Sequence, residues 1–321
     1  MKVARSLAVD RVTIADVPDP IAGRGEVVCR LLACGVCKSD VTDWYVASKI
    51  PTVLGHELVA EVTAVGEEVT AVAVGDRVVV HHHSSCGHCR RCCRGHETLC
   101  EQFRAHRIDP GGFAQMMTIP AELVPELLTL GDVDPVAATF VEPLACVLRS
   151  QERAGLKAGD TLLVVGAGAN GLLAVAAARA RGVESVWVRE PQAQRLALAL
   201  EWGAEIHVNE QVDVAIVCTS DPQAIVTATE HLAPGATLCL YALPAPEAHL
   251  AIDKTELFLN ELTITASYSA SSSDMRAALA LIASGEIDPL PLVSHRFDLQ
   301  ETQTALKLTG AGEALKAVIV G

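Results

Sequence analysis

Residues 161–171 read Thr-Leu-Leu-Val-Val-Gly-Ala-Gly-Ala-Asn-Gly, an unbroken apolar run that passes directly into a glycine-rich turn. A continuous run, rather than an alternating one, describes a strand covered on both faces, as in a parallel sheet with helices on either side. The G-x-G-x-x-G of Gly166, Gly168 and Gly171 is weak evidence alone. Between that strand and the alanine-rich helix that follows it becomes strong: the glycines permit a tight turn, let the backbone approach a pyrophosphate and aim a helix N-terminus at it. Gly166, Gly168, Asn170 and Gly171 are therefore candidate dinucleotide contacts. The next strand, Ser185 to Val188, leads to Arg189 and Glu190, the latter nineteen residues past Gly171. A carboxylate there hydrogen-bonds both ribose hydroxyls of NAD and repels the extra phosphate of NADP. Arg189 at the same tip could pair with that phosphate, so NAD is expected and NADP stays open.

Working outward, Ala/Leu helices alternate with short valine strands from about residue 143 onward, the βαβ signature of a doubly wound α/β domain. Before it, residues 2 to 34 alternate apolar and polar with turn signals at Pro18-Asp19-Pro20 and Gly23 to Gly25, and Glu26 to Ala33 forms a strand. The run GHELVAEVTAVGEEVTAVAVGDRVVV adds further β-branched strands broken by glycines. The first 142 residues thus predict a β-rich, barrel-like domain.

One part of the dinucleotide domain looks abbreviated. The helix Gln192 to Trp202 returns the chain beneath the sheet, and the next apolar strand begins at Val212. If Ile206-His207-Val208 is the third strand, only three residues remain before Val212, whereas a parallel crossover takes a dozen or more. The sheet is expected to lack this edge strand and its crossover helix, giving the order 2-1-4-5-6 and an open adenine side.

Composition bounds the partners. The chain has 321 residues, 50% of them hydrophobic, enough for two cores. Its 25 Lys plus Arg against 39 Asp plus Glu give a net charge of -14, which argues against nucleic acid and anionic lipid. The first residues carry charges and no apolar core, and the most apolar helix, from Leu172, is interrupted by Arg179, so no membrane partner and a cytoplasmic location are expected. In that compartment eleven cysteines point to metal rather than disulfides.

Two constellations carry the chemistry. Cys86, Cys89, Cys92 and Cys100, with two, two and seven residues between them, can wrap a tetrahedral tetrathiolate zinc in the lobe 86–100. Cys37, and nineteen residues later His56 followed by Glu57, supply a thiolate, an imidazole and a carboxylate. Three protein ligands with a fourth position left open is the pattern of a catalytic zinc. Zinc there would lower the pKa of an alcohol so that hydride can pass from its carbon to a nicotinamide. The triple histidine 81–83 continues the apolar strand Val78 to Val80, and with both zinc sites filled it reads as structural.

With CGVCKSD, GHE, the four-cysteine lobe, FVEPLACVLR, AGLKAGDTLLVVGAGANG and SHRFDLQE in place, the chain resembles the zinc-dependent medium-chain dehydrogenase/reductases over nearly its whole length, nearest their sorbitol-, iditol- and threonine-type branch. The resemblance implies a GroES-like catalytic domain at 1–142, a Rossmann domain at 143–286 and a C-terminal return to the catalytic domain at 287–321. It implies catalytic zinc on Cys37, His56 and Glu142, with Glu57 binding or exchanging with water, and a structural zinc in the lobe. By the same resemblance Ser39 takes the alcohol proton, Asp40 orients His56, Lys38 touches the cofactor pyrophosphate, and the enzyme is a dimer or tetramer. Thr42 stands where many members carry a proton-relay histidine, so the relay is shorter or uses water. Asp43, Trp44 and Tyr45 are candidates for the alcohol pocket. The leading function is an NAD-dependent alcohol or polyol dehydrogenase; an NADP-linked carbonyl reductase and a non-catalytic relative are the alternatives.

Overall fold

A computed structural model describes residues 1–206, 209–250 and 252–321. The chain divides into two compact units: Met1–Glu142 with Ser271–Gly321, and Pro143–Ala270.

The first unit is built on antiparallel sheets. Its larger sheet runs in the order His295–Asp298, Ala317–Val320, Val27–Gly35, Glu57–Val65, Arg77–Val80, Leu127–Thr129, with Met116–Ile119 also paired to Val27–Gly35. A smaller sheet joins Arg11–Asp16, Lys2–Ala8 and Thr52–Val53. Leu31, Leu58, Phe113, Met117 and Ile119 fill the core between them. Each such side chain taken from water contributes about 1.5–3 kcal/mol. The C-terminal strand pairs its Val318 with Gly35, and Gly35 pairs on its other side with Glu57. This triple junction brings three distant segments to one point.

The return to the first unit begins at Ser271, sixteen residues before the expected 287. The helix Ser272–Ala283 carries an apolar face like its predecessors, which hides the boundary in the sequence. It is fixed by a capping box between Ser271 and Asp274, and Ser272 donates its hydroxyl to the Glu126 carboxylate of the first unit.

The second unit is one parallel sheet in the order Glu205–Ile206, Ser185–Arg189, Thr161–Val165, Val212–Val217, Leu232–Leu240, Thr263–Ala266. Leu162, Leu163 and Val164 on its central strand are fully buried. The expected loss of the edge strand is thus corrected: a two-residue strand occupies that edge, parallel to Ser185–Arg189, and the order is 3-2-1-4-5-6. His207 and Val208, included in the sequence argument, lie outside the described residues. The described part of this strand is Glu205–Ile206. Ile206 stands level with Val188, Val164 and Ile216, while Val212 lies four residues below Ile216. Three strand spacings across and four residues down amount to about 19 Å. Six Cα steps from Ile206 to Val212 reach about 20–22 Å, enough for a direct link and too little for a helix. No crossover helix is found there among the described residues. Among the described residues no helix is long and apolar enough to cross a membrane.

Candidate active site

Gly35 ends its strand where a Cβ would sit 1.9 Å from a Glu57 carboxylate oxygen and 3.0 Å from Cε of Lys316. Only glycine leaves room there. The chain then turns into the short 3-10 segment Lys38–Val41, tied by the Cys37 N–H donating to Asp40 Oδ2 at 3.0 Å. This turn presents Cys37 to the start of the strand Glu57–Val65. One ligand atom each from Cys37, His56 and Glu57 fall within 4.8 Å of one another.

Asp40, 4% exposed, places Oδ1 3.4 Å from His56 Nδ1. A carboxylate on Nδ1 fixes the ring and leaves Nε2 as the ligand atom, the second-layer arrangement common at metal sites. Burial works against a charge on His56, yet Asp40 and Cys37 outweigh it and raise its pKa well above the usual value. The site is therefore prepared for positive charge, which a divalent ion supplies; the donor set of thiolate, imidazole and carboxylate fits zinc.

Glu57 also faces Lys316, with side chains 1% and 5% exposed, in a direct ion pair. Burial pushes the Glu57 carboxyl up and Lys316 opposes it. Burial likewise works against the Lys316 ammonium, but Glu57 beside it raises its pKa overall. Glu142, expected as third ligand, is buried at the start of the helix Val141–Arg153 and acts on both charges, but its carboxylate lies outside the three-group cluster. Lys316 was not anticipated; the available signal was a lone cation opening the apolar strand Ala317–Val320.

Lys38 lies at a helix end. Its ammonium donates to the carbonyls of Gly310 at 3.0 Å and Thr309 at 3.4 Å, at the end of the helix Thr302–Ala311, where a cation meets the helix dipole. In the structure this ammonium therefore caps the end of that helix. Ser39 is half-buried one residue on. Thr42 gives its hydroxyl to the Lys38 carbonyl at 2.9 Å. Trp44 packs edge-on against Tyr45, whose ring lies 3.5 Å under the Lys49 ammonium. The triple histidine approaches the site: the His82 ring lies 4.9 Å from that of His56, and burial followed by His83 pushes its pKa well below the usual range, keeping it neutral.

In the lobe, the Cys89–Cys92 and Cys86–Cys92 sulfur separations are 3.5 and 3.9 Å. Tetrahedral zinc with Zn–S near 2.3 Å spaces its sulfurs about 3.8 Å apart, so all four thiols, Cys100 included, fit that ion. The backbone N–H groups of His88 and Cys89 pull the Cys86 thiol down to about 6. Cys93 is exposed and donates to the His88 carbonyl. Replacing Cys89 by serine should remove the lobe zinc, leave the other bound, and lower the unfolding temperature by on the order of 10 °C before it affects turnover, because a closed zinc site contributes folding energy. A variant with one zinc and an unchanged melting curve would make the lobe dispensable.

In the second unit, Gly166 has φ of +94°. A Cβ on Gly171 would lie 1.9 Å from the Gly166 carbonyl oxygen, whereas one on Gly168 would meet nothing within 4 Å. Gly171 thus permits the close strand-to-helix packing, and the backbone at Gly168 is open to a phosphate. Asn170 lies in the first turn of the helix Ala169–Ala180. Glu190 accepts from the Ala167 N–H at 2.7 Å and the Gln192 N–H at 2.9 Å. Two carboxylate oxygens offer about four acceptor sites, so capacity remains for ribose hydroxyls.

The alcohol dehydrogenase GroES-like domain matches residues 23–128, and the zinc-binding dehydrogenase domain matches residues 169–284. The chain is 30% identical to D-altritol 5-dehydrogenase of Agrobacterium fabrum, over 91% of this chain and 90% of that one. It is 28% identical to L-threonine 3-dehydrogenase of Saccharopolyspora erythraea, over 95% and 94%. A Sinorhizobium meliloti protein described as a zinc-binding dehydrogenase and solved bound to NADP superposes with a TM-score of 0.90 at 28% identity, covering 100% of this chain and 99% of that one. The chain belongs to the zinc-dependent medium-chain dehydrogenase/reductases, in their threonine- and polyol-dehydrogenase branch. It is an enzyme, an oxidoreductase of alcohols or polyols.

Proposed function

We propose that this enzyme oxidises a secondary alcohol or polyol with NAD, holding a catalytic zinc on Cys37, His56 and one of the carboxylates Glu57 and Glu142, and a structural zinc on Cys86, Cys89, Cys92 and Cys100. The observation that carries the reading is the convergence of Cys37, His56 and Glu57 within 4.8 Å, with Asp40 behind the His56 ring. Zinc, when bound, acts as a Lewis acid on the alcohol oxygen. The chain's own residues do the rest. Asp40 holds the imidazole tautomer, Ser39 receives the alcohol proton, and Glu190 orients the ribose. The Thr42 hydroxyl is engaged with the Lys38 carbonyl, so the proton leaves Ser39 through water. Assembly as a dimer or tetramer, and a cytoplasmic location, belong to the same reading.

An NADP-linked reductase is the second reading, favoured by the NADP in the Sinorhizobium meliloti structure. Turnover of secondary alcohols and polyols with each cofactor separates the two. NAD should be preferred, and Glu190→Ala should erode that preference about tenfold, the worth of one net hydrogen bond lost to the ribose. Turnover with NADP alone, or a preference that ignores Glu190, would overturn the NAD assignment.

A further inference from the structure

We propose that the arginine-rich face of the cysteine lobe in one copy of this chain docks on an acid-rimmed apolar cavity in the second unit of another copy. This rests on the assembly reading above and not on its chemistry. The chain carries a net charge of -14, so two copies repel over most of their surfaces. Residues 86–107 are the exception, with five arginines against Glu97 and Glu101. Arg90, Arg91, Arg94, Arg104 and Arg107 are all exposed, and Leu99 among them is 53% exposed. Arg91 is committed to the Leu99 carbonyl at 2.9 Å and to Glu101 at 3.6 Å. Among the described residues no carboxylate pairs with Arg90 or Arg94.

The opposite charge gathers in the second unit. Residues 221–261 hold six carboxylates, all exposed, and Lys254 as their one lysine or arginine. Three of the six, Glu230, Asp253 and Glu256, line a cavity of about 300 Å³ together with Leu232, Leu257 and Ile264. On the helix Lys254–Leu259, which gives Glu256 and Leu257 to that cavity, Phe258 is 80% and Leu259 71% exposed. Large apolar side chains so exposed mark a surface that another protein covers. A purely apolar partner would strip water from Glu230 and Glu256 and leave them unpaired, which is costly. Arginine suits both halves of the site: its aliphatic stem packs along apolar walls while the guanidinium meets a carboxylate. The lobe supplies that side chain twice over in Arg90 and Arg94, with Leu99 for apolar contact. Complementary charge steers such patches together and rejects the like-charged remainder of the surface. Each copy carries both patches, so every copy can act on either side of the contact.

Sedimentation equilibrium of the full chain tests this, first on wild type across salt concentrations. Raising sodium chloride from about 0.05 to 0.5 M should weaken association about tenfold, because exposed ion pairs are screened. Two charge-reversed proteins follow: Arg90→Glu with Arg94→Glu, and Glu230→Arg with Glu256→Arg. Arg91 and Asp253 are left alone, since the first braces the lobe and the second caps its helix. Metal content and circular dichroism confirm that each variant is folded. Each alone should associate at least about a hundredfold more weakly than wild type, the cost of setting like charges face to face. An equal mixture of the two should associate again, because reversed lobe then meets reversed rim and native lobe meets native rim. A wild-type monomer would overturn the proposal and the assembly reading together. A wild-type oligomer indifferent to salt and to both reversals would overturn the proposal alone, as would a mixture that stays dissociated.

Discussion

Replacing Cys37 by serine should lower alcohol turnover by at least about a thousandfold, the scale of losing electrostatic stabilisation of a reacting oxygen, and reduce bound zinc from two per chain to one. A serine hydroxyl stays protonated at neutral pH and is a poor substitute for a thiolate. His56 and one carboxylate then remain, a ligand set too small to hold zinc against water. The loss should be local. The lobe sulfurs share no ligand with this site, and Cys37 belongs to a short turn whose backbone is already tied by Asp40. Metal analysis, far-ultraviolet circular dichroism and turnover on the same sample decide it. A folded Cys37→Ser protein with one zinc and no activity is the expected outcome; full activity, or two zinc ions retained, would remove Cys37 from the metal centre.

Features that depend on local sequence were legible in advance. The strand into Gly166 announced a parallel sheet because its apolar residues are contiguous, and the lobe announced itself by thiol spacing. Cys37, His56 and Glu57 could be grouped because short segments flank a single strand pair. What escaped depends on register between distant segments. Nothing near Lys316 says that its strand will pair with Gly35 and deliver an ammonium to Glu57. Nothing in a run of three histidines says which will turn toward His56, since a break from strand geometry after Val80 sets their directions. The Glu205–Ile206 strand was missed for a different reason: two residues are too few to give a periodic signal, and its place rests on pairing with Trp187 and Val188. The Lys38 contact was not legible because a lysine in a turn looks alike whether it meets a phosphate or the end of a helix that arrives 271 residues later.

The Lys316–Glu57 pair leads to the other large effect. Lys316→Met should destabilise the metal-free protein by about 3–5 kcal/mol, the usual consequence of breaking a buried ion pair, and lower its unfolding temperature by roughly 10 °C. Methionine keeps the length and most of the volume, so the loss reports charge rather than a cavity. Glu57 has few ways to adapt. It is 1% exposed, burial already pushes its carboxyl up, and Glu142 adds a like charge nearby. Removing both charges at once should behave differently. In Lys316→Met with Glu57→Gln the two groups become neutral and nearly isosteric, and replacing a buried pair in this way is often neutral or better. The double variant should therefore regain most of the loss, a coupling that a double-mutant cycle measures directly. Zinc supplies an independent check. A cation held at Cys37 and His56 gives the stranded Glu57 carboxylate a second partner, so zinc should recover more stability in Lys316→Met than it adds to wild type. Thermal unfolding of the four proteins, with and without zinc, reads both effects. Additive single substitutions would mean the pair is not coupled, and equal gains from zinc would mean that Glu57 does not face the metal.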